Sequence, residues 1–173
     1  MTDIPESRTL VALVADHPGV LTRVASLFRR RSFNIASLAV GHSEEPGYSR
    51  MTITVEGSEA EIKQCEKQLY KLVDVVTVRD LSEIPAVDRE MALIKVKVLP
   101  ADRSGLSEIA DMFRGEIVDV SRESMIIELT GSLGKINRFL EVISDYTVQE
   151  ISRTGVIAMA RDQVMSRNGR TRD

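Results

Sequence analysis

The sequence predicts an α+β fold that contains two ferredoxin-like βαββαβ units, and two observations support this prediction. The first is a weak internal repeat. Residues 15–19 (ADHPG) are echoed by residues 101–105 (ADRSG), and residues 51–58 (MTITVEGS) are echoed in the same order by residues 125–132 (MIIELTGS). The second is that both halves of the chain alternate strand-like and helix-like hydrophobic periods in the same succession. Together they indicate two copies of one supersecondary unit.

The first unit is predicted to contain four strands and two helices. The apolar or alternating patterns place its strands at residues 9–15, 34–40, 49–55 and 75–79. The apolar face of its first helix consists of Val20, Val24, Leu27 and Phe28. Ser58 and Glu61 form a capping-box pattern that opens the second helix. The apolar face of that helix consists of Ile62, Cys65, Leu69 and Leu72.

The second unit repeats this order. Its strands are expected at residues 92–99, 117–120 and 125–129, and the strands that close it are expected at residues 147–151 and 156–160. The apolar face of its first helix consists of Leu106, Ile109, Ala110 and Phe113, and that of its second helix of Ile136, Phe139, Leu140 and Ile143. Gly115 is expected to end the first of these helices in a left-handed C-cap.

Topology and domain boundaries follow from this succession. Right-handed crossovers place both helices of such a unit on one face of a four-stranded antiparallel sheet. The other face then has no helix to cover it, which predicts an oligomer. We expect a first domain at residues 8–82, a linker with Pro85 at residues 83–89, a second domain at residues 90–161 and a disordered tail at residues 162–173.

The composition excludes several classes of function. The chain has no Trp, only 4% aromatic residues and a net charge of −3, so it lacks the aromatic platform and the basic surplus of a nucleic-acid-binding protein. No segment reaches the ~20 apolar residues that span a bilayer, and the first residues do not form a signal-peptide pattern. These features predict a cytoplasmic protein that binds neither nucleic acid nor a membrane.

No group of residues has a catalytic or metal-binding pattern, so no catalytic residue and no metal ligand is predicted. The two histidines are His17, in a turn, and His42, in a loop predicted at residues 41–48, and neither has a companion ligand. The single cysteine, Cys65, lies on the apolar face of a predicted helix, where a buried and unreactive thiol is expected.

The most informative segment is the turn at residues 16–21 (DHPGVL), which joins an apolar strand to a helix. Unpaired N–H groups at a helix start carry the positive end of the helix dipole, so they can hold a carboxylate without a basic side chain. Gly19 leaves room for a ligand because it has no side chain. The alternative interpretation is that Asp16 caps the helix and Gly19 shapes the turn.

Several segments together resemble the small, regulatory subunit of acetolactate synthase (acetohydroxyacid synthase), a family with ACT domains. The turn at residues 16–21 resembles the family's D/N-x-x-G-x-L pattern, and residues 33–35 (FNI) resemble its F/Y-N-I segment. Further segments that resemble the family are residues 49–53 (SRMTI), 66–72 (EKQLYKL), 89–96 (REMALIKV) and 113–115 (FRG). The resemblance therefore covers residues 8–161.

Two features near the end of the first predicted helix leave questions open. Ser32 stands where the family usually has glycine, which costs about 1 kcal/mol if this position is left-handed. Arg29, Arg30 and Arg31 either compensate the helix dipole on a solvated helix end or dock on an acidic patch of a catalytic subunit.

The resemblance implies a site for a branched-chain amino acid, valine first, where two ACT domains meet in a homodimer. The residues that it implies for this site are Asp16, Gly19, Val20, Leu21, Asn34 and Ile35. Backbone N–H groups of the turn would hold the ligand carboxylate, and Asp16 would accept a hydrogen bond from the ammonium group. Asn34 would act from the neighbouring subunit, and the apolar members would line a dry pocket.

The function that the resemblance implies is that of a non-catalytic regulatory subunit in valine, leucine and isoleucine biosynthesis. Such a subunit activates the catalytic (large) subunit of acetolactate synthase and confers feedback inhibition by valine. Thiamine diphosphate, Mg2+ and FAD would belong to the catalytic subunit, and no cofactor is expected in this chain.

The residues argue against two other classes of function. An amino-acid-sensing transcription factor would need a DNA-binding segment, and a free-standing enzyme would need paired acid, base or nucleophile candidates. The sequence shows neither feature.

The second unit keeps only part of the binding motif. It has Asp102 and Gly105 but residues 118–120 (VDV) in place of Phe-Asn-Ile, so we expect a structural or partner-docking role for it.

Overall fold

The computed structural model describes residues 6–161 of the chain. Its first elements are β1 (Glu6–Ala15), α1 (Val20–Arg30), β2 (Asn34–His42), β3 (Tyr48–Gly57), α2 (Glu59–Leu69) and β4 (Val75–Asp80). They are followed by β5 (Ala86–Lys97), α3 (Arg103–Met112), β6 (Glu116–Val120), β7 (Ser124–Gly131), α4 (Leu133–Val142), β8 (Thr147–Arg153) and β9 (Ile157–Ala160). The described residues divide into two compact units, residues 6–87 with 156–161 and residues 88–155.

The first unit contains a four-stranded antiparallel sheet in the order β2-β3-β1-β4. Helices α1 and α2 bury their apolar faces against this sheet, and Phe28, Ile53 and Leu69 are among the fully buried core side chains. Ser58 caps α2 in a capping box with Glu61, as the sequence predicts. The predicted βαββαβ order is confirmed for this unit.

The second unit has the same element order in a sheet arranged β6-β7-β5-β8. Its core lies between the sheet and helices α3 and α4, where the rings of Phe113 and Phe139 pack edge to face at 5.3 Å. Buried Glu90 pairs with Arg153 Nη2 at 2.7 Å and holds the edge strand β8 to β5. The predicted α+β fold class with two ferredoxin-like units is confirmed.

The last strand lies differently from the expectation that residues 156–160 close the second unit. Val156 and Ala158 pack instead on Val11 and Leu81 of the first unit, and β9 pairs with β5, whose first two residues also belong to that unit. Successive side chains of a strand point to opposite sheet faces, so Val11 lies on the face without helices. The chain therefore covers part of that face with its own apolar strand.

One boundary also differs from the sequence-based one. Residues 86–89, which were assigned to the linker at residues 83–89, form the start of β5. The tail predicted at residues 162–173 lies outside the described residues. Over residues 6–161, no helix has the length and apolar character needed to cross a bilayer.

The ends of α1 and α3 use left-handed residues, but not always the predicted ones. Ser32 has φ 56°, so it does occupy a left-handed position after α1, a conformation that favours glycine. After α3 the left-handed residue is Arg114, with φ 53°, and the expected C-cap at Gly115 was wrong. Gly115 serves a close approach instead, because a Cβ there would lie 3.3 Å from Glu128 O and from Ile127 Cγ2.

Candidate functional site

The turn between β1 and α1 keeps the helix start open. Gly19 is the N-cap residue with φ 95°, a conformation that favours glycine, and no side chain of the described residues caps α1. A Cβ on Gly19 would have no described heavy atom within 4 Å, so the space beside it is free. The N–H groups of the first turn of α1 therefore face outward with the positive end of the helix dipole.

Asp16 does not cap this helix. Its carboxylate pairs instead with His42, whose Nδ1 lies 3.0 Å from Asp16 Oδ2, and its backbone N–H donates to Gly47 O at 2.8 Å. The capping interpretation is thus excluded, and His42 is not an isolated loop histidine but the last residue of β2. Both side chains are exposed, so the Asp16 carboxylate remains accessible to a ligand.

Asp74 holds the turn in place from the neighbouring strand end. Its backbone oxygen accepts the N–H of Ala15 at 2.8 Å, its Oδ1 lies 3.0 Å from His17 Nε2, and its Oδ2 accepts from Arg23 Nη1 at 2.5 Å. The Asp74 side chain is only 7% exposed. Asp74 therefore fixes the residue before the turn through its backbone oxygen, and a residue of the turn and the first turn of α1 through its buried carboxylate.

Charge partners explain how this buried carboxylate stays ionised. Burial opposes ionisation, but the hydrogen bond and charge of Arg23, followed by those of His17, outweigh it and lower the pKa of Asp74. His17 Nδ1 also lies 3.1 Å from Pro18 O. Both ring nitrogens of His17 thus lie within hydrogen-bond distance of an oxygen atom.

Asn34 lies at the opposite end of the sheet from the turn. It begins β2 and is level with Glu56 of β3, whereas His42 ends β2 beside the turn. The eight residue steps between them correspond to about 26 Å. The Asn34 amide donates to Glu56 Oε2 at 2.8 Å. A single chain therefore does not bring Asn34 and the turn together.

The apolar residues assigned to the site have different surroundings. The side chain of Val20 is 3% exposed and belongs to the core, so only its backbone is available at the turn. Leu21 is 47% exposed beside the open helix start. Ile35 is half-buried at the far end of β2, next to Asn34. Leu21 is thus the member of this set that can offer an apolar surface at the turn itself.

The corresponding position of the second unit has no such opening. A 3-10 turn at Pro100–Asp102 leads directly into α3, and Gly105 lies within that helix. A Cβ on Gly105 would be 3.1 Å from the Tyr146 hydroxyl, so a tyrosine fills the space beside it. The open space found beside Gly19 is therefore not repeated beside Gly105.

Other reactive groups of the described residues are not arranged for catalysis. Burial, followed by the charge of Glu66, raises the pKa of the Cys65 thiol to about 12, as expected for an unreactive core thiol. Within residues 6–161, no three His, Cys, Asp or Glu side chains cluster as metal ligands.

Comparison with known proteins decides the family. Residues 10–77 match a family model described as an AHAS small subunit-like ACT domain, and residues 89–162 match a model described as the small subunit of acetolactate synthase. The chain belongs to the acetolactate synthase small-subunit family. This result confirms the resemblance drawn from the motifs, and it gives the chain a regulatory rather than a catalytic place in that enzyme.

Individual members of the acetolactate synthase small-subunit family are similar over nearly their whole length. The chain is 47% identical to the probable acetolactate synthase small subunit of Archaeoglobus fulgidus over 153 residues, which are 88% of this chain and 96% of that protein. It is 43% identical to the acetolactate synthase small subunit of Mycobacterium bovis, covering 91% of this chain and 94% of that protein. The crystal structure of the Thermotoga maritima small subunit matches with a TM-score of 0.82 at 46% identity, covering 91% and 99%.

Sequence patterns missed two residues that hold parts of the candidate site, one at the turn and one at Asn34. Asp74 is the lone carboxylate in the apolar segment at residues 72–76, and a charge in such a segment signals a buried ion pair. Glu56, which holds Asn34, ends the alternating strand β3 without any distinguishing pattern.

Proposed function

We propose that this chain activates the catalytic subunit of acetolactate synthase and makes that enzyme sensitive to feedback inhibition by valine. The observation that most supports valine binding is the open start of α1 beside an accessible carboxylate. No described side chain caps the helix start at left-handed Gly19, where the Val20 N–H makes only a long 3.5 Å hydrogen bond to His17 O, and Asp16 pairs with His42 rather than serving as a cap. Opposite partial charges thus lie next to each other, as a zwitterion requires.

The ligand chemistry follows from these groups. Backbone N–H groups of Gly19, Val20 and Leu21 donate to the carboxylate of the amino acid, and the free oxygen of Asp16 accepts from its ammonium group. The exposed Leu21 side chain packs on the branched aliphatic side chain. Leucine and isoleucine bind by the same contacts, with valine as the first candidate.

A homodimer through the ACT domains supplies the remaining residues. Among the described strands, β2 pairs with β3 alone, so its other edge is available for a second copy. Antiparallel pairing of two β2 strands about a two-fold axis puts the start of each strand beside the end of the other. Asn34 and Ile35 at the start of one β2 then approach the turn of the partner subunit, and the roughly 26 Å separation within one chain is bridged.

Regulation arises because the ligand joins two chains. Valine binds one packing of the ACT dimer more tightly than another, and the catalytic subunit responds to that packing. Couplings of this kind are typically ~1–3 kcal/mol and are reciprocal, so the catalytic subunit also changes the affinity for valine. Thiamine diphosphate, Mg2+ and FAD act in the catalytic subunit, and this chain contributes no catalytic group.

Reconstitution tests the proposal. The purified chain is mixed with its cognate catalytic subunit, and acetolactate formation is measured with and without valine. Gly19→Asp adds a carboxylate beside the helix start and Asn34→His changes the second half of the site, so each should abolish inhibition and spare activation. Gly134→Asp, at an open position of α4, is the matched control and should behave as the wild type.

The outcomes separate the parts of this proposal. Absence of any activation by the wild-type chain would contradict the regulatory role. Activation with retained valine inhibition in both variants would contradict the assignment of the site. An equal valine affinity with and without the catalytic subunit would contradict the coupling.

A further inference from the structure

A group of cations on the helix side of the first unit has no role in the amino-acid site. Its members, here called the basic surface, are Arg29, Arg30 and Arg31 at the end of α1 and Lys67 and Lys71 on and just after α2. All five are exposed, in a chain whose net charge is −3. These five exposed cations therefore form a local positive group in a chain with a net negative charge.

The two parts of the basic surface are linked through Gln68, the residue after Lys67. Helices α1 and α2 share one core, and Arg31 Nη2 reaches across to Gln68 Oε1 at 3.4 Å. Beside this contact lies a depression of about 580 Å³. Its lining residues are Ala60, Lys63, Gln64, Lys67, Gln68, Tyr70 and Lys71. The surface thus combines charge with a concave shape.

The cations of the basic surface are not neutralised within the described chain. Lys63 pairs with Glu59 on α2, but none of the five members has a carboxylate of residues 6–161 within ion-pair distance. The dipole of each helix favours cations in its own last turn. That effect does not favour bringing two such groups together, since their charges repel each other. An acidic partner would remove this repulsion.

We propose that the basic surface is where this subunit docks on an acidic patch of the acetolactate synthase catalytic subunit. The inference rests on the proposed function and adds the surface through which it operates. Helix α1 begins at the amino-acid turn and ends at Arg30, and its 11 residues span about 16 Å. A shift of the turn on ligand binding moves this rigid helix, so the same element that contacts valine also contacts the partner.

A charge-reversal variant tests the docking surface. In the full-length chain, Arg29→Glu, Arg30→Glu and Lys67→Glu are combined, and association with the immobilised catalytic subunit is followed by surface plasmon resonance. The matched control combines Arg79→Glu, Lys97→Glu and Arg122→Glu, three exposed cations elsewhere on the chain. We expect the association rate of the first variant to fall by about 30-fold or more in about 50 mM salt, and that of the control by less than about threefold.

Salt dependence and ligand binding complete the test. The difference in association rate between the wild type and the charge-reversal variant of Arg29, Arg30 and Lys67 should shrink in about 500 mM salt, where surface charges are screened. Its valine affinity, measured by calorimetry on the chain alone, should stay within about twofold of the wild type, because the altered residues lie away from the turn. That result would show that the loss of docking is not a loss of fold.

Two results would overturn the inference. One is that the charge-reversal variant of the basic surface and the matched control both bind the catalytic subunit as well as the wild type does. This result would leave the proposed function intact. The other is a variant that retains catalytic-subunit binding but loses a wild-type affinity for anionic vesicles or duplex DNA. A wild-type chain that does not bind the catalytic subunit at all would instead contradict the proposed function itself.

Discussion

Asp74 Oδ2 accepts a hydrogen bond from Arg23 Nη1 at 2.5 Å, and this contact ties the start of β4 to the first turn of α1. The Asp74 side chain is buried, and the same carboxylate also contacts His17. A group 51 residues away in sequence from Arg23 thus determines the shape of the candidate amino-acid site.

The first prediction concerns acid stability. The pKa of Asp74 is lowered in the folded chain. The ionised carboxylate therefore contributes to the free energy of unfolding fully above the usual aspartate pKa of 3.8, and this contribution is lost as pH falls through the lower folded pKa. Asp74→Asn should therefore be less stable than the wild type at neutral pH, and the difference should narrow in the acid range. Urea unfolding of the wild type and of the variant, at several pH values from neutral to strongly acidic, measures the stability difference and its change with pH. Asp111→Asn, at an exposed position, is the control. A stability difference between the wild type and Asp74→Asn that stays the same at low pH would contradict the prediction.

The second prediction concerns the sharing of the site between two chains. If Asn34 acts from the neighbouring subunit, a mixed dimer of Gly19→Asp and Asn34→His chains has one doubly altered site and one intact site. Each variant alone should bind no valine, whereas an equilibrated mixture should recover about a quarter of the wild-type sites. Isothermal titration calorimetry gives this stoichiometry. A mixture that binds no valine would show that each site belongs to one chain.

The third prediction concerns the left-handed residue after α1. Ser32 has φ 56°, and glycine adopts this conformation without the Cβ penalty. Ser32→Gly should raise the free energy of unfolding by about 0.5–1 kcal/mol, as measured by urea denaturation. Ser144→Gly, at an exposed residue without a positive φ, should lower it. A destabilised Ser32→Gly variant would exclude backbone strain at this position.

The fourth prediction concerns the buried ion pair of the second unit. Glu90 is 4% exposed and accepts from both Nε and Nη2 of Arg153, at 3.0 and 2.7 Å. Glu90→Ala leaves the guanidinium half-buried without its carboxylate and should cost about 2 kcal/mol of unfolding free energy. Glu141→Ala removes the exposed partner of Arg138 and should cost under about 1 kcal/mol. Equal effects in thermal or urea unfolding would contradict this difference.

The fifth prediction concerns Cys65. Because burial raises the pKa of its thiol to about 12, almost no thiolate forms at neutral pH in the folded chain. Ellman's reagent should label the native protein at least about 100-fold more slowly than the protein in urea. The Ala60→Cys, Cys65→Ser double variant presents a thiol on the exposed side of the same helix and should react at once. Rapid labelling of native Cys65 would show that the helix opens locally.

Elements with a regular apolar period were predicted well from the sequence. All four residues assigned to the apolar face of α1 are buried, and the capping box at Ser58 forms as expected. Such patterns depend on neighbouring residues only, because the place of a side chain in the helical or strand repeat decides whether it faces the core or the solvent. The motif around Gly19 was likewise predictable, because a helix start without a capping side chain depends on neighbouring residues only.

Contacts between distant residues were not predictable in this way. Asp74 contacts His17 and Arg23, and Asp16 pairs with His42, so these contacts join residues that are far apart in the sequence. The apolar pattern at residues 156–160 identified a strand but not its place. Val156 could pack on any apolar surface, and only the fold shows that it packs on Val11 and Leu81.

The sequence thus specifies the family, the two βαββαβ units and the amino-acid turn, because each depends on local periodicity or on a short run of residues. The antiparallel pairing of the strands specifies the rest. The register of β2 with β3 carries Asn34 to the far end of the sheet from Asp16 and brings His42 to the turn, and the pairing of β4 with β1 brings Asp74 there. A register depends on which strands pair across the whole unit, and no local segment contains that information.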